Sequence, residues 1–211
     1  MGMEFVRKPA KSTRKSLVQG VGINDADYVT TYKVEGKEVV CPFYRKWRNM
    51  LKRCYSRTYL DKRPTYEGCR VCSDWLRFSN FRKWMIAQDW QGKDLDKDLL
   101  IKGNKIYSPS RCVFINSSTN KAIAESRSSK NDSSLLAGVR LDKNNGKYSS
   151  RVRKGIPSKN HYLGTYSTEN EAHNIWRLEK AKHFRNLANS ETDIIVITIL
   201  HELADNLEEL L

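Results

Sequence analysis

From residue 95 to residue 121 the chain reads LDKDLLIKGNKIYSPSRCVFINSSTNK, and this succession of patterns restricts the fold more than any other stretch. An acidic strand with apolar flanks (Leu95, Asp96, Lys97, Asp98, Leu99, Leu100) runs into a turn at Gly103-Asn104 and a loop at Tyr107-Ser108-Pro109. A short apolar strand follows through Cys112, Val113, Phe114 and Ile115, and then a helix start rich in Ser, Thr and Asn. The expected order is strand, loop, strand, helix.

The 211 residues can bury one ordinary core or two small ones. A net charge of +14 favours a polyanionic partner, because clustered Lys and Arg gain affinity by releasing counterions condensed on phosphates. Double-stranded DNA leads that class. An anionic membrane surface would attract the same charge, but no apolar run reaches the roughly 18 residues needed to span a bilayer. Arg7, Lys8, Lys11, Arg14 and Lys15 have no apolar signal core behind them, so the expectation is a cytoplasmic protein with its five cysteines reduced.

Residues 1–40 read as a basic arm of low order, fastened near its end by a hairpin over 28–37. From Pro42 a helical period places Phe43, Trp47, Met50, Leu51 and Cys54 on one face, with Arg45, Lys46, Arg48, Lys52 and Arg53 around the rest, suited either to phosphate contacts or to solvent. A second helix is predicted over Phe78–Ile86, with Phe78, Phe81, Trp84 and Met85 buried and Ser79 or Asp74 as its cap. The Ser- and Asn-rich stretch 125–134 has linker composition. Beyond it, strands are predicted over 137–141, 147–153 and 162–166, separated by an Asn-Gly turn and by a Gly155-Ile156-Pro157 loop. A helix over 169–187 follows, capped by Ser167 or Thr168. The acidic, amphipathic tail over 190–211, with Ile195, Ile197, Ile199, Leu200, Leu203, Leu207 and Leu211 as apolar positions, either packs on the body or pairs with a second copy as a homodimer.

Two resemblances sharpen this reading. The stretch 95–121, with its acidic strand, Tyr-Ser-Pro-x-x-Cys loop and Asn120, resembles the ββα-metal core of HNH endonucleases, and more closely the phage-encoded, homing-type members. The resemblance implies that Asp96 and Asn120 hold one magnesium or manganese ion against the scissile phosphate. It also puts the water-activating histidine at the position of Lys97, and lysine is a poor general base between Asp96 and Asp98. The histidines, His161, His173, His183 and His201, all lie further along the chain. The implied alternatives are metal-bound water reacting without a dedicated base, Asp98 in the base's role, or a site that no longer catalyses.

The segment GVRLDKNNGKYSSRVRKGIPSKNHYLGTYSTENEAHNIW resembles the DNA-binding domain of the Apetala and ethylene-response-factor family, through Gly-Val-Arg, Gly-Lys-Tyr-Ser-Ser-Arg-Val-Arg, Tyr-Leu-Gly-Thr-Tyr and Thr-x-x-Glu-Ala. Its outer sheet face is then expected in the major groove, with Arg140, Lys147, Arg151, Arg153 and Tyr162 contacting DNA; Asp142 and Asn160 stand where that family often has Arg.

Cys69-x-x-Cys72 is one knuckle with zinc-like spacing, which Cys41 and Cys54 would complete; the bland alternative is four small buried side chains. The expected fold is therefore α+β: an arm over 1–40, a ββα-metal nuclease core with flanking helices over 41–124, a linker over 125–134, a three-stranded antiparallel sheet on one helix over 135–189, and a C-terminal helix over 190–211. The expected function is a metal-dependent DNA endonuclease of homing type, or a protein that keeps the nuclease scaffold and only binds DNA or regulates.

Overall fold

The computed structural model describes residues 17–127, 135–155 and 159–209. The basic run from Arg7 to Lys15, most of the expected linker, Ile156-Pro157 and Leu211 lie outside the described residues. The chain forms two compact units, one made of residues up to Trp90 with Leu95–Phe114, the other of Gln91–Asp94 with the residues from Ile115 on. Among the described residues no helix is long and apolar enough to cross a membrane.

The first unit opens with an antiparallel hairpin of β1 (Thr31–Val34) and β2 (Lys37–Val40). Its turn residues Glu35 and Gly36 have φ of 49° and 76°, the pair of left-handed conformations that matches the strand twist in a tight hairpin. Helix α1 (Pro42–Tyr55) starts on proline, whose fixed φ suits a first helical turn, and is followed by the short α2 (Arg57–Lys62). Strand β3 (Arg70–Val71), helix α3 (Phe78–Ile86) and strand β5 (Ile106–Tyr107) follow in this unit, as do β4 (Asp94–Asp96) and β6 (Val113–Ile115) except for Asp94 and Ile115. β3 pairs with β5 in parallel and β4 with β6. The core is aromatic: Trp47, Trp75, Phe78 and Phe81 are fully buried, Trp75 meets Phe81 edge to face at 5.1 Å, and the Trp47 Nε1–H donates to the Trp75 carbonyl at 2.7 Å. On α1 it is Tyr44, with Trp47, Met50, Leu51 and Cys54, that is buried; Phe43 is only partly covered and lies 4.8 Å from Trp90.

Two expectations about local order are corrected. Neither Ser79 nor Asp74 caps α3; Asp25 does, accepting from the Ser79 amide at 2.9 Å and the Ser79 hydroxyl at 2.8 Å. Burial works to raise the Asp25 pKa, but these two bonds and the Arg77 guanidinium overcome it and hold the carboxyl below its ordinary value. The described part of the arm is thereby tied down, with Val18, Val21, Ala26 and Tyr28 packed on the core.

The second unit contains α4 (Ser117–Arg127), the antiparallel sheet β7 (Val139–Asp142), β8 (Lys147–Lys154) and β9 (Lys159–Tyr166) in that order, α5 (Glu169–Ala188) and α6 (Ile194–Glu208). A full capping box at Thr168 and Glu171 starts α5, whose buried residues include Ala172, Ala181, Phe184 and Leu187. Helix α6 packs on α5 through Val196, Leu200 and Ala204, while the expected core residue Ile195 is 55% exposed. Buried Glu191, in the turn between α5 and α6, accepts from the Asn116 amide and the Thr119 hydroxyl and fastens that turn to the start of α4.

The expected architecture of one ββα core, one three-stranded sheet and one C-terminal helix is overturned. The described residues form a mixed α+β fold with four sheets, of two, two, two and three strands, and six helices. The acidic strand ends at Asp96, because its Oδ1 accepts from the Asp98 and Leu99 amides at 2.8 and 2.6 Å and turns the chain out of the ladder. The Tyr-Ser-Pro loop is not free of structure either, since Ile106 and Tyr107 form the strand that pairs with β3.

Candidate nucleic-acid interface

The surface with most chemistry toward a polyanion is the outer face of β7–β8–β9. Along β8, Ser150 and Val152 are buried while Lys147, Arg151 and Arg153 are exposed, as alternation in a half-buried strand dictates. The register sets Arg140 opposite Ser149, Ser149 opposite Thr165, Arg151 opposite Tyr162 and Arg153 opposite Asn160. Directly paired residues share a face, so these rows make one polar surface with cations from two strands. A bulge between Ser150 and Arg151 interrupts the ladder to β9. It changes the alternation there, and Tyr162, 61% exposed, comes onto the same face as Thr165, their hydroxyls 2.5 Å apart.

The inner face is closed by α5. Gly138, just before β7, has φ +78°, and a Cβ there would lie 2.1 Å from the Trp176 ring, so only glycine admits the indole this close. Lys154 reaches Glu179 at 2.9 Å, and hydrogen bonds from Lys154 and Lys182 hold the Glu179 carboxyl below its ordinary pKa. Burial, with Lys180, Lys154 and His161 nearby, pushes the His183 imidazole down to about 4.

All five expected DNA contacts, Arg140, Lys147, Arg151, Arg153 and Tyr162, are thus exposed and assembled on one face. Sequence reasoning did not pick out Ser149 and Thr165 from the same rows. Nor did it pick out Glu125 of α4, whose Oε1 lies 3.6 Å from Arg153 Nε and competes for that guanidinium. Asp142, the acid on this face, is partly occupied, its Oδ1 accepting from the Asn144 amide at 3.0 Å. The Asn-Gly turn over residues 143–146 is closed by the Gly146 amide on the Asp142 carbonyl.

The expected nuclease residues are divided between the two units. Asp96 belongs to the first unit and Asn120, on α4, to the second. Lys97 is buried within the first unit: its Nζ donates to Asp98 Oδ1 at 2.6 Å and to the Asn104 carbonyl at 2.8 Å, and lies about 6 Å from the Tyr66 and Tyr107 ring centres. The residue at the water-activating position is therefore a structural cation inside a ring of acceptors. In the second unit α4 meets two acids, Asp94, which accepts from the Ser117 hydroxyl at 2.7 Å, and Glu191, which accepts from the Thr119 hydroxyl.

The four cysteines of the expected zinc site do not converge. Among the described residues no group of three or more His, Cys, Asp or Glu side chains is placed to hold a metal ion. Cys41 sits 3.2 Å from the Tyr28 hydroxyl, and burial beside Cys69 pushes the Cys54 thiol up to about 12. Burial does the same to Cys112. Compared with protein-family models, curated proteins and solved structures, the chain matches none.

Proposed function

We propose that the chain is a DNA-binding protein that lays the outer face of β7–β8–β9 in the major groove of a duplex. One observation carries the reading: Arg140, Arg151, Arg153 and Tyr162 share an exposed face of a sheet whose other face is closed by a helix. A major groove about 12 Å wide admits strands, and arginine there reads guanine through paired hydrogen bonds. Lys147, Ser149 and Thr165 suit the neighbouring phosphates. The net charge of +14 supplies the sequence-independent part of the attraction.

The test is fluorescence anisotropy on a duplex selected from a randomised pool. Arg151→Ala is expected to cost about 1–3 kcal/mol and to relax preference at one base position. Lys147→Ala is expected to weaken all sequences alike. Unchanged affinity in Arg140→Ala, Arg151→Ala and Arg153→Ala would put the DNA surface elsewhere. This reading needs no hydrolysis, and Lys97 is committed to Asp98 and Asn104 rather than to water. Plasmid supercoils are expected to survive magnesium or manganese. Relaxation that is lost in Asp96→Ala and Asn120→Ala would restore the endonuclease reading.

A further inference from the structure

The turn from Ile101 to Ile106, together with Gly68, Arg70 and Arg111, lines a cavity of about 410 Å³ in the first unit. Its lining includes Arg70, Lys102, Lys105 and Arg111, and no carboxylate residue. Arg70, Lys102 and Lys105 are exposed and Arg111 is half-buried. The wall is rigid for a reason: Asn104, 5% exposed, donates to the Lys97 and Ile106 carbonyls at 2.7 and 2.8 Å and accepts from the Ile106 amide at 3.0 Å. Its Oδ1 also lies 3.5 Å from Arg111 Nη1. The opposite wall is joined to this one by the Arg70 amide, which donates to the Lys105 carbonyl at 2.8 Å. Cations brought together without a counter-charge repel one another, and an entering anion reverses the sign of that energy. Beside them, Ile101, 45% exposed, offers an apolar surface that a sugar or base can cover.

We infer that this cavity is a phosphate-binding site for a single nucleic-acid strand, with Arg70, Lys102, Lys105 and Arg111 around the phosphodiester. Arginine supplies paired donors to phosphate oxygens and lysine a point charge. The site extends the nucleic-acid reading of the sheet to a second surface, and it is tested apart from it. A short single strand offers no major groove, so the sheet's readout does not apply to it.

The experiment titrates the full chain with fluorescein-labelled hexathymidylate and, separately, with the selected duplex. The expected result is hexathymidylate binding that weakens about tenfold in the double variant Arg70→Gln/Lys102→Gln, two exposed positions whose change leaves the core intact, and that is unaltered in Arg151→Ala. Wild type that does not bind hexathymidylate, or a double variant that binds it as wild type does, overturns the site. Complete displacement by millimolar inorganic phosphate at matched ionic strength assigns the cavity to a free phosphate group and overturns the strand assignment. The duplex titration with Arg151→Ala tests the sheet alone, so the two readings fail separately.

Discussion

At the scale of single residues, what a side chain touches decides between chemistry and structure. Lys97 sits at the position where the resemblance to HNH enzymes places a base, but period-two burial along Lys93, Leu95, Lys97 and Leu99 turns it inward. Lys97→His is therefore expected to yield no metal-dependent plasmid relaxation and to lower stability in urea by about 2 kcal/mol, since the Asn104 carbonyl loses a charged donor. Cleavage by that variant would show the side chain reaching solvent and a phosphate. On the sheet, Glu125 holds part of the Arg153 charge. Removing the carboxylate's charge with Glu125→Gln is expected to raise duplex affinity by about 0.5 kcal/mol, roughly twofold, in the anisotropy assay. The resemblance to the Apetala and ethylene-response-factor family made Arg140, Arg151 and Arg153 legible in the sequence, and all three are exposed in the structure. Glu125 was not, because its approach to Arg153 spans residues distant along the chain.

Elements were legible where one local signal sufficed. Phe78–Ile86 came from its apolar spacing and the α5 start from Thr168 and Glu171, both short-range patterns. The α3 cap was not, because Asp25 lies 54 residues before Ser79. Asp25→Ala is expected to cost about 1 kcal/mol in a urea melt, the ordinary worth of a cap, with the loss confined to pH above the lowered Asp25 pKa, where the carboxylate is charged. Equal stability of the two proteins at neutral pH would remove the capping role. Helix α5 carries a pH dependence of its own. With His183 held near 4 in the native state, the unfolded chain takes up a proton that the fold refuses, so stability is full above the unfolded pKa of about 6.5 and declines as pH falls from there toward 4. The melting temperature of His183→Phe should be flatter than that of wild type over this interval; parallel curves would place the burden on other groups.

For the whole molecule the charge of +14 was available from composition, and it pointed toward a polyanion before any strand was placed. The division of the chain was harder to read, because Gln91–Asp94 leaves the first unit and Leu95–Phe114 returns to it, an interleaving that a linear reading of linkers does not anticipate. The same excess of cations should give salt opposite effects on two measurements. In the free protein, added salt screens repulsion among 38 Lys and Arg against 24 Asp and Glu, and exposed pairs such as Arg57 with Asp61 have little to lose. The melting temperature is therefore expected to rise between about 0.05 and 0.5 M salt as the screening length contracts. On complex formation, counterions condensed on the phosphates are released into a saltier solution at a lower entropic gain, and duplex affinity should fall with a logarithmic slope of about −0.9 for each phosphate that Lys147 and other exposed cations of the sheet face neutralise. A slope near zero would exclude these cations from phosphate contact, whatever the melting curve does.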